Sequence, residues 1–423
     1  MQVNHPCTYE MLDHCVIRPG CVDAALTRTH SVCEAQSFNA IGDFIQAHAP
    51  LRRYTTMMQP RQIVERSVLF ATEVLGSDTD YTSEELQLKA RYHFFMSVQM
   101  TGQWLLDETI DADLRVDADF IDKAIRFAMT ALESGNEDDG AVSALRAAGA
   151  AVGVPEDFPE AISLLARWQR ALARELGISL APESIYMRLN ADFYRTYRGI
   201  RDPFNSWESF QSHRADNGAL PMEIFCGAHL FCRRFGADPS ILEKDERFWP
   251  VIRRYAIIGS LSNDIFGYQK DLEERVETSI EVMKRLIRGQ AASTDEQLTR
   301  DALSRVIGIH NELLKELSVR LQTCEGPAET AVLLSSLTTT WAVRVLHHAC
   351  QNIYRPEWLR QALDHLKPRV CLSVSKGDGA TGYFYPQSAQ YGRRRKKQFP
   401  ININFNHSTA SRQPHSSAAS VRF

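Results

Sequence analysis

Apolar residues recur at intervals of three and four positions from about residue 41 to residue 366, and short breaks rich in Gly, Pro, Asp or Asn divide this stretch. That spacing places apolar side chains on one face of a helix, whereas the alternation typical of strands is nearly absent. Eleven helices are more than a four-helix bundle needs, so we predict an all-α, single-domain helical bundle. The predicted helices cover residues 60–75, 84–110, 118–134, 139–150, 158–174, 183–197, 221–235, 247–275, 277–289, 295–323 and 327–353.

The two ends of the chain lack this period. Residues 1–45 mix Cys, His, Pro and Thr, which predicts a loosely ordered N-terminal arm and leaves residues 46–366 as the helical domain. Residues 367–423 run through Gly, Ser, Tyr and Pro, which predicts a disordered tail. The basic cluster Arg393–Lys397 is typical of a solvated charge run, with a nuclear-import or polyanion-contact patch as the alternative.

Charge is distributed unevenly between these parts. The chain has 48 Lys and Arg against 52 Asp and Glu, a formal net charge of −4. The balance is −11 before Lys376 and +7 from Lys376 onward. The acidic body argues against a nucleic-acid partner or a general attraction to anionic membranes. Such a body needs cations to hold an anionic ligand, which points to metal ions.

The nine cysteines and the longest apolar run bear on location. The cysteines form no C-x-x-C pair, and their odd number and spacing suit neither a disulfide framework nor a zinc site. The N-terminus shows no basic segment leading into an apolar run, and the most apolar stretch, residues 330–346, is interrupted by Ser, Thr and Arg344. We therefore expect a cytoplasmic protein without stable membrane insertion.

An acidic cluster closes the predicted helix at residues 84–110. Asp107 and Asp111 lie one turn apart on a shared face, with Glu108 beside them. Like charges repel there unless they are solvated or bind a cation, and Mg²⁺ prefers one or two carboxylates with water and phosphate completing its shell. Acidic helix ends are also common on solvated surfaces, so the cluster alone leaves both interpretations open.

A second polar stripe follows the apolar run at residues 255–261. Asn263, Gly267 and Asp271 are spaced four residues apart, so they lie on one face of a helix. An amide oxygen and a carboxylate on that face can together bind one divalent ion. Asn is unfavourable inside a helix because its side chain competes for backbone hydrogen bonds. A polar stripe that lines a solvated groove is the alternative.

Together the two motifs resemble the class I terpene synthases of the fungal and bacterial type. Asp-Glu-x-x-Asp at Asp107 is followed 156 residues later by Asn-Asp-Ile-Phe-Gly-Tyr-Gln-Lys-Asp at Asn263, in the order and separation of that family. The resemblance spans roughly residues 50 to 355. It implies an all-α bundle around a central apolar cavity and a site for three Mg²⁺ ions, with Mn²⁺ as the second candidate. The implied metal ligands are Asp107, Glu108, Asp111, Asn263, Gly267 and Asp271.

The resemblance also implies a reaction. Members of this family ionise a prenyl diphosphate, here most simply farnesyl diphosphate, and convert the carbocation to a sesquiterpene hydrocarbon or alcohol with release of diphosphate. Arg214, Asn217 and Gly218 match the family's diphosphate-sensing segment as diphosphate contact, linker and effector. Lys270 retains the family's basic neighbour of the second motif. Trp104 and Trp341 are expected as pocket walls, because aromatic faces attract cations, or else as plain core.

Three departures from the family pattern stand out. Gly267 lies where the family usually has Ser or Thr, and Asp271 where it usually has Glu. After Trp341 the chain lacks the family's usual Arg-Tyr pair. Other functions therefore stay open: a monoterpene or diterpene synthase, a chain-elongating prenyl diphosphate synthase, or a catalytically silent helical scaffold. Elongation is disfavoured because the second motif lacks three spaced aspartates. A monomer or a homodimer is expected.

Overall fold

The computed structural model describes residues 11–12, 15–17, 31–56, 60–111, 118–135, 138–199, 204–273, 277–288 and 294–349. Within these ranges the chain forms fifteen α-helices and a short 3₁₀ turn, with no strand, which confirms the predicted all-α class. The helices are α1 (Val32–Ala47), α2 (Ala49–Thr56), α3 (Pro60–Leu75), α4 (Ser83–Asp111), α5 (Ala118–Glu133), α6 (Asp139–Ala151), α7 (Phe158–Leu176), α8 (Ile185–Gly199), α9 (Trp207–Asp216), α10 (Leu220–Arg234), α11 (Ile241–Lys244), α12 (Phe248–Glu273), α13 (Ser279–Ile287), α14 (Asp295–Thr323) and α15 (Pro327–Ala349).

The eleven helices predicted from periodicity are all present. Their ends agree with the prediction to within two residues, except at the last one, where residues 350–353 lie outside the described part. Four further helices, α1, α2, α9 and α11, fall in stretches where no helix was predicted. The predicted tail at residues 367–423, with its basic cluster, also lies outside the described residues.

Helix α1 lies almost wholly inside the segment predicted as a loosely ordered arm. The Ser31 side chain caps this helix by accepting a hydrogen bond from the backbone N–H of Cys33 at 3.2 Å. Farther upstream, Ile17 exchanges two backbone hydrogen bonds with the Asn311 side chain on α14, at 3.2 and 3.0 Å. A buried amide therefore ties part of the arm to the bundle.

Helices α10 and α15 form the centre of the bundle. They pack on each other, α15 also packs on α3 and α12, and α4 packs on α3, α7 and α10. Every residue of α10 from Leu220 to Cys232 is buried, as expected for a helix without a solvent face. Their crossing depends on Gly227, because an added Cβ there would lie 2.3 Å from the Ser335 Oγ. No helix in the described part of the chain is both long and apolar enough to cross a membrane.

A sharp break separates α9 from α10. Asn217 caps the end of α9, and the next two residues have left-handed backbones, with φ of 107° at Gly218 and 63° at Ala219. Pro221 then stands in the first turn of α10, where its missing N–H costs no hydrogen bond. The break lets Arg214, at the end of α9, and the start of α10 face the same neighbouring helices.

Candidate active site

Arg214 occupies the last turn of α9 and is turned into the bundle. Its Nε donates to the Asp264 Oδ1 at 3.1 Å, and its Nη2 donates to the same oxygen. Its Nη1 donates to the Asn217 Oδ1 at 2.8 Å. The side chains of Arg214 and Asp264 are 12% and 1% exposed, so this is a buried ion pair. The predicted diphosphate contact and its predicted linker are therefore in direct contact.

Asp264, which the sequence reasoning missed, holds this arrangement together. It lies on α12 directly after Asn263, and its second oxygen accepts a hydrogen bond from the backbone N–H of Ser279 at 2.8 Å. That N–H belongs to the first turn of α13, whose orphan donors favour a carboxylate. One carboxylate therefore joins α9, α12 and α13.

The electrostatics of Arg214 bring the two sequence motifs together. Burial lowers the pKa of its guanidinium, while the carboxylates of Asp264, Asp271 and Asp107 raise it, and the net result is a raised pKa. Asp107 lies on α4 and Asp271 on α12, about 160 positions apart in the chain. Both lie within electrostatic range of one buried guanidinium, so the two predicted motifs lie near the same residue.

The stripe on α12 has an unexpected local geometry. A Cβ added to Gly267 would lie 3.2 Å from the Asp271 Oδ2, so the Asp271 carboxylate folds back over the glycine. The Lys270 Nζ lies 3.6 Å from the Asp271 Oδ1. Asn263 is half-buried at the other end of the stripe. Asp271 thus covers the position where a Ser or Thr side chain would stand.

Asp107 is the described member of the α4 cluster and is half-buried. The backbones of Glu108 and Asp111 belong to α4, while their side chains lie outside the described part of the chain. The approach of these two predicted ligands to the second motif therefore stays a prediction.

Comparison with known proteins gives the fold. No family model and no curated protein sequence matches the chain. Crystal structures of 2-methylisoborneol synthase from Streptomyces coelicolor A3(2), a bacterial class I terpene cyclase, do match. The complex with Mg²⁺ and 2-fluoroneryl diphosphate aligns over 78% of this chain and 95% of that chain, with a TM-score of 0.56 and 14% identity. The complex with Mg²⁺ and geranyl-S-thiolodiphosphate aligns with a TM-score of 0.54 and 16% identity over the same shares.

The chain has the class I terpene synthase fold. Identity of 14–16% supports the fold alone, so the role of each side chain rests on its own surroundings.

Within the terpene synthase fold, the donor set suits Mg²⁺. Among the described residues, no three His, Cys, Asp or Glu side chains form a ready-made metal cluster. Mg²⁺ does not need one, because it usually keeps several waters and binds through one or two carboxylates together with substrate phosphates. The carboxylates of Asp107 and Asp271 and the amide oxygen of Asn263 are hard oxygen donors, and the two carboxylates both influence Arg214. These residues fit the ion.

The two predicted pocket tryptophans both have defined partners. The guanidinium of Arg66 lies 5.0 Å from the ring centroid of Trp104. The indole N–H of Trp341 donates to the Glu73 Oε2 at 2.9 Å, across the contact between α15 and α3. Lining of the substrate pocket by either ring stays a prediction.

The end of α15 packs behind the α12 motif. The guanidinium of Arg344 lies 3.8 Å from the ring centroid of Phe266, and the His347 ring packs on the same phenylalanine. Burial lowers the pKa of His347 to about 3, so the ring is neutral near pH 7. The carbonyl of Asn263 and the charge of Lys270 also act on His347. Arg344, the first arginine after Trp341, thus stacks on an aromatic ring beside the α12 motif.

Proposed function

We propose that this chain is a class I terpene synthase, a carbon–oxygen lyase that ionises a prenyl diphosphate with Mg²⁺ and converts the carbocation to a terpene hydrocarbon or alcohol. The observation that carries the proposal is the position of Arg214. Its buried guanidinium is fixed by Asp264 and acted on by one carboxylate from each motif, Asp107 and Asp271. A cation between two acidic motifs is suited to an anion that arrives with its own metal ions.

The chain's own residues supply binding and positioning. Arg214 offers a planar fork of donors that suits phosphate oxygens, and Asn217 links that fork to the α9–α10 break. Gly218 would present its backbone carbonyl to the developing cation, and Lys270 would contact the diphosphate. Asp264 positions Arg214 without needing to touch the substrate.

The metal ligands follow from the same arrangement. Asp107, Glu108 and Asp111 would hold Mg²⁺ on one side, and Asn263 and Asp271 on the other, with a water in place of a hydroxyl at Gly267. Three ions are proposed, and Mn²⁺ is the substitute to test. When bound, the metal neutralises the charge that develops on the departing diphosphate.

The substrate is proposed as farnesyl diphosphate, which gives a sesquiterpene. The second candidate is a ten-carbon diphosphate, because the structural neighbours were crystallised with 2-fluoroneryl, 2-fluorogeranyl and geranyl-S-thiolo diphosphates. Trp104 and Trp341 are proposed as walls of the pocket for the hydrocarbon. The working form is proposed as a monomer or homodimer in the cytoplasm, with no nucleic-acid partner and no stable membrane insertion.

The test is turnover of the full chain with ten-, fifteen- and twenty-carbon prenyl diphosphates, with and without Mg²⁺, read as released diphosphate and identified volatiles. Arg214→Ala should reduce turnover by about 10²–10³-fold, as loss of one preorganised donor to a developing anion typically does. Arg253→Ala is the matched control, because Arg253 also joins α12 to the end of α9, through Asp216 at 2.6 and 2.5 Å.

Three outcomes would count against the proposal. Metal-independent turnover would remove the magnesium assignment. Longer prenyl diphosphates as products would favour chain elongation. A folded chain that releases no diphosphate from any of the three substrates would favour the silent scaffold.

A further inference from the structure

A buried polar cluster lies between α4 and α10, one to two turns along α4 from Asp107. On α4, residues 99, 103, 107 and 111 share one face because they are four positions apart. Asp107 acts on Arg214 at the end of α9. One turn back, the Gln103 Nε2 donates to the Met222 Sδ at 3.3 Å, and another turn back the Gln99 Nε2 donates to the Glu223 Oε1 at 2.8 Å. Two successive turns of α4 therefore contact two adjacent residues of α10, Met222 and Glu223.

Glu223 ends a chain of hydrogen bonds that all point the same way. The Gln169 Nε2 donates to the Tyr186 hydroxyl at 2.6 Å, and that hydroxyl donates to the Gln99 Oε1 at 2.5 Å. Gln99 then donates to Glu223, which is fully buried. Each of these three hydrogen bonds is donated in the direction of the Glu223 carboxyl group.

Two oxygens at the end of this chain are left over. The Glu223 Oε2 and the Gln103 Oε1 are both buried and have no hydrogen-bond partner among the described residues. Such groups cost about 1–3 kcal/mol each when unsatisfied, so buried polar oxygens normally have a partner. Both side chains lie at the contact between α4 and α10. Gln103 contacts Met222, and Glu223 contacts Gln99, which is one helical turn from Gln103.

Glu223 is suited to donate from this position. Burial raises its pKa to about 8, and the hydrogen bond from Gln99 lowers it by less, so the acid is mostly protonated near pH 7. A protonated Glu223 supplies a donor, whereas the Gln103 oxygen can only accept. A single water between them would accept from Glu223, donate to Gln103 and keep a lone pair free.

We propose that Glu223 and Gln103 form a binding site for a water molecule between α4 and α10, and that this water captures the carbocation to give an alcohol. The proposal rests on the proposed function, because the diphosphate at Arg214 and Asp107 would direct the hydrocarbon toward α10. The water oxygen forms a C–O bond to the cationic carbon with its lone pair. The resulting oxonium then loses one proton to solvent water as the alcohol leaves, and the diphosphate released into solution is the base that finally takes it up.

The first experiment compares product composition with diphosphate release. Gln103→Met keeps the size of the side chain but removes the accepting oxygen, so the alcohol share of the products should fall about fivefold while diphosphate release is unchanged. Glu223→Gln keeps a donor and should retain the alcohol. Thr339→Val is the matched control, because its buried Oγ1 also lacks a partner among the described residues but it lies on α15, outside this series of hydrogen bonds.

Wild-type products that contain only hydrocarbons would overturn the proposal, as would an alcohol share that Gln103→Met leaves unchanged. The second experiment needs no substrate: a crystal structure should contain a water between the Glu223 Oε2 and the Gln103 Oε1, and Gln103→Met should lose it. A dry site would overturn the proposal as well. Failure of the chain to release diphosphate would refute the proposed function alone, since the crystallographic result still decides the water site.

Discussion

Two buried carboxyl groups of the bundle have different partners: Asp264 joins α12 to α9 and α13, and Glu223 joins α10 to α4. At the charged site, Asp264 is buried in an ion pair with Arg214 and also accepts from a backbone N–H. At the neutral site, Glu223 is equally buried but receives one hydrogen bond, from an uncharged amide, and its pKa is raised to about 8. Both side chains are buried, and they differ in the partner: Asp264 has a cation, and Glu223 has a neutral amide.

That difference matches the chemistry proposed for each site. A fixed cation with carboxylates around it suits the binding of a diphosphate and its metal ions. A neutral acid beside an amide suits a dry region that holds a single polar molecule. A carbocation formed between these sites would have its leaving group on one side and its nucleophile on the other.

The largest expected effect comes from removing the anion at the charged site. Asp264→Ala leaves the buried guanidinium of Arg214 and the N–H of Ser279 without their acceptor, so we expect the free energy of unfolding to fall by about 3–5 kcal/mol. Asp216→Ala is the control, because Arg253 is 21% exposed and also stacks on Trp249 at 4.6 Å. We expect that variant to lose about 1 kcal/mol. Urea unfolding measures both.

Equal losses for the two variants would break the comparison. They would mean that the Arg214 pair is no more dependent on its partner than the more exposed Arg253 pair on the same helices.

An intermediate effect is expected from the neutral site as a function of pH. The folded chain binds the Glu223 proton more tightly than the unfolded chain, so the free energy of unfolding falls as pH rises between 4.5 and about 8. The contribution of this residue should drop by roughly 2 kcal/mol between pH 6 and pH 8. Glu223→Gln should remove that slope, which unfolding measured at several pH values would reveal. Identical slopes in the two proteins would show that Glu223 is ionised when buried.

The smallest effect is expected where Asp271 covers Gly267. Gly267→Ser adds a hydroxyl ligand and needs only a small shift of the Asp271 carboxylate, so the half-saturating Mg²⁺ concentration should fall about threefold, or roughly 0.7 kcal/mol. Gly308→Ser is the control, because a Cβ there meets nothing within 4 Å. Both changes should add about 0.5 kcal/mol of helix stability, but Gly308→Ser should leave the metal dependence unchanged.

Complete loss of turnover in a folded Gly267→Ser protein would contradict this expectation. It would show that the close approach of Asp271 to the glycine backbone is itself required.

Periodicity was sufficient for the long helices and insufficient for the short ones. Helices such as α12 and α14 carry several turns of apolar spacing, which a sequence reveals directly. Helix α9 has ten residues, of which Phe210 and Ala215 are buried, so it offers little period to detect. Its start is marked by Ser206, which accepts from the backbone N–H of Ser209 at 3.1 Å, a capping signal that could have indicated the helix.

The site was predictable where it follows helical spacing and not where it depends on contact across helices. The pairing of Arg214 with Asn217 follows from their separation of three residues, whereas its pairing with Asp264 joins positions 50 residues apart. Glu223 left a signal that spacing does not capture, because it is the charged residue within an otherwise apolar run at the start of α10. A lone acid in such a run indicates a buried carboxyl group, but its hydrogen-bond partner, Gln99, comes from α4.

The shared use of Asp264 has a reciprocal consequence. Because one carboxylate accepts from Arg214 of α9 and from the first turn of α13, the strength of one contact depends on the other. A bound anion that draws Arg214 away from Asp264 would weaken the anchor of α13, and by thermodynamic linkage any restraint that holds α13 in place must change the affinity for that anion by the same factor. Helix α13 is therefore joined energetically to the anion without having to touch it.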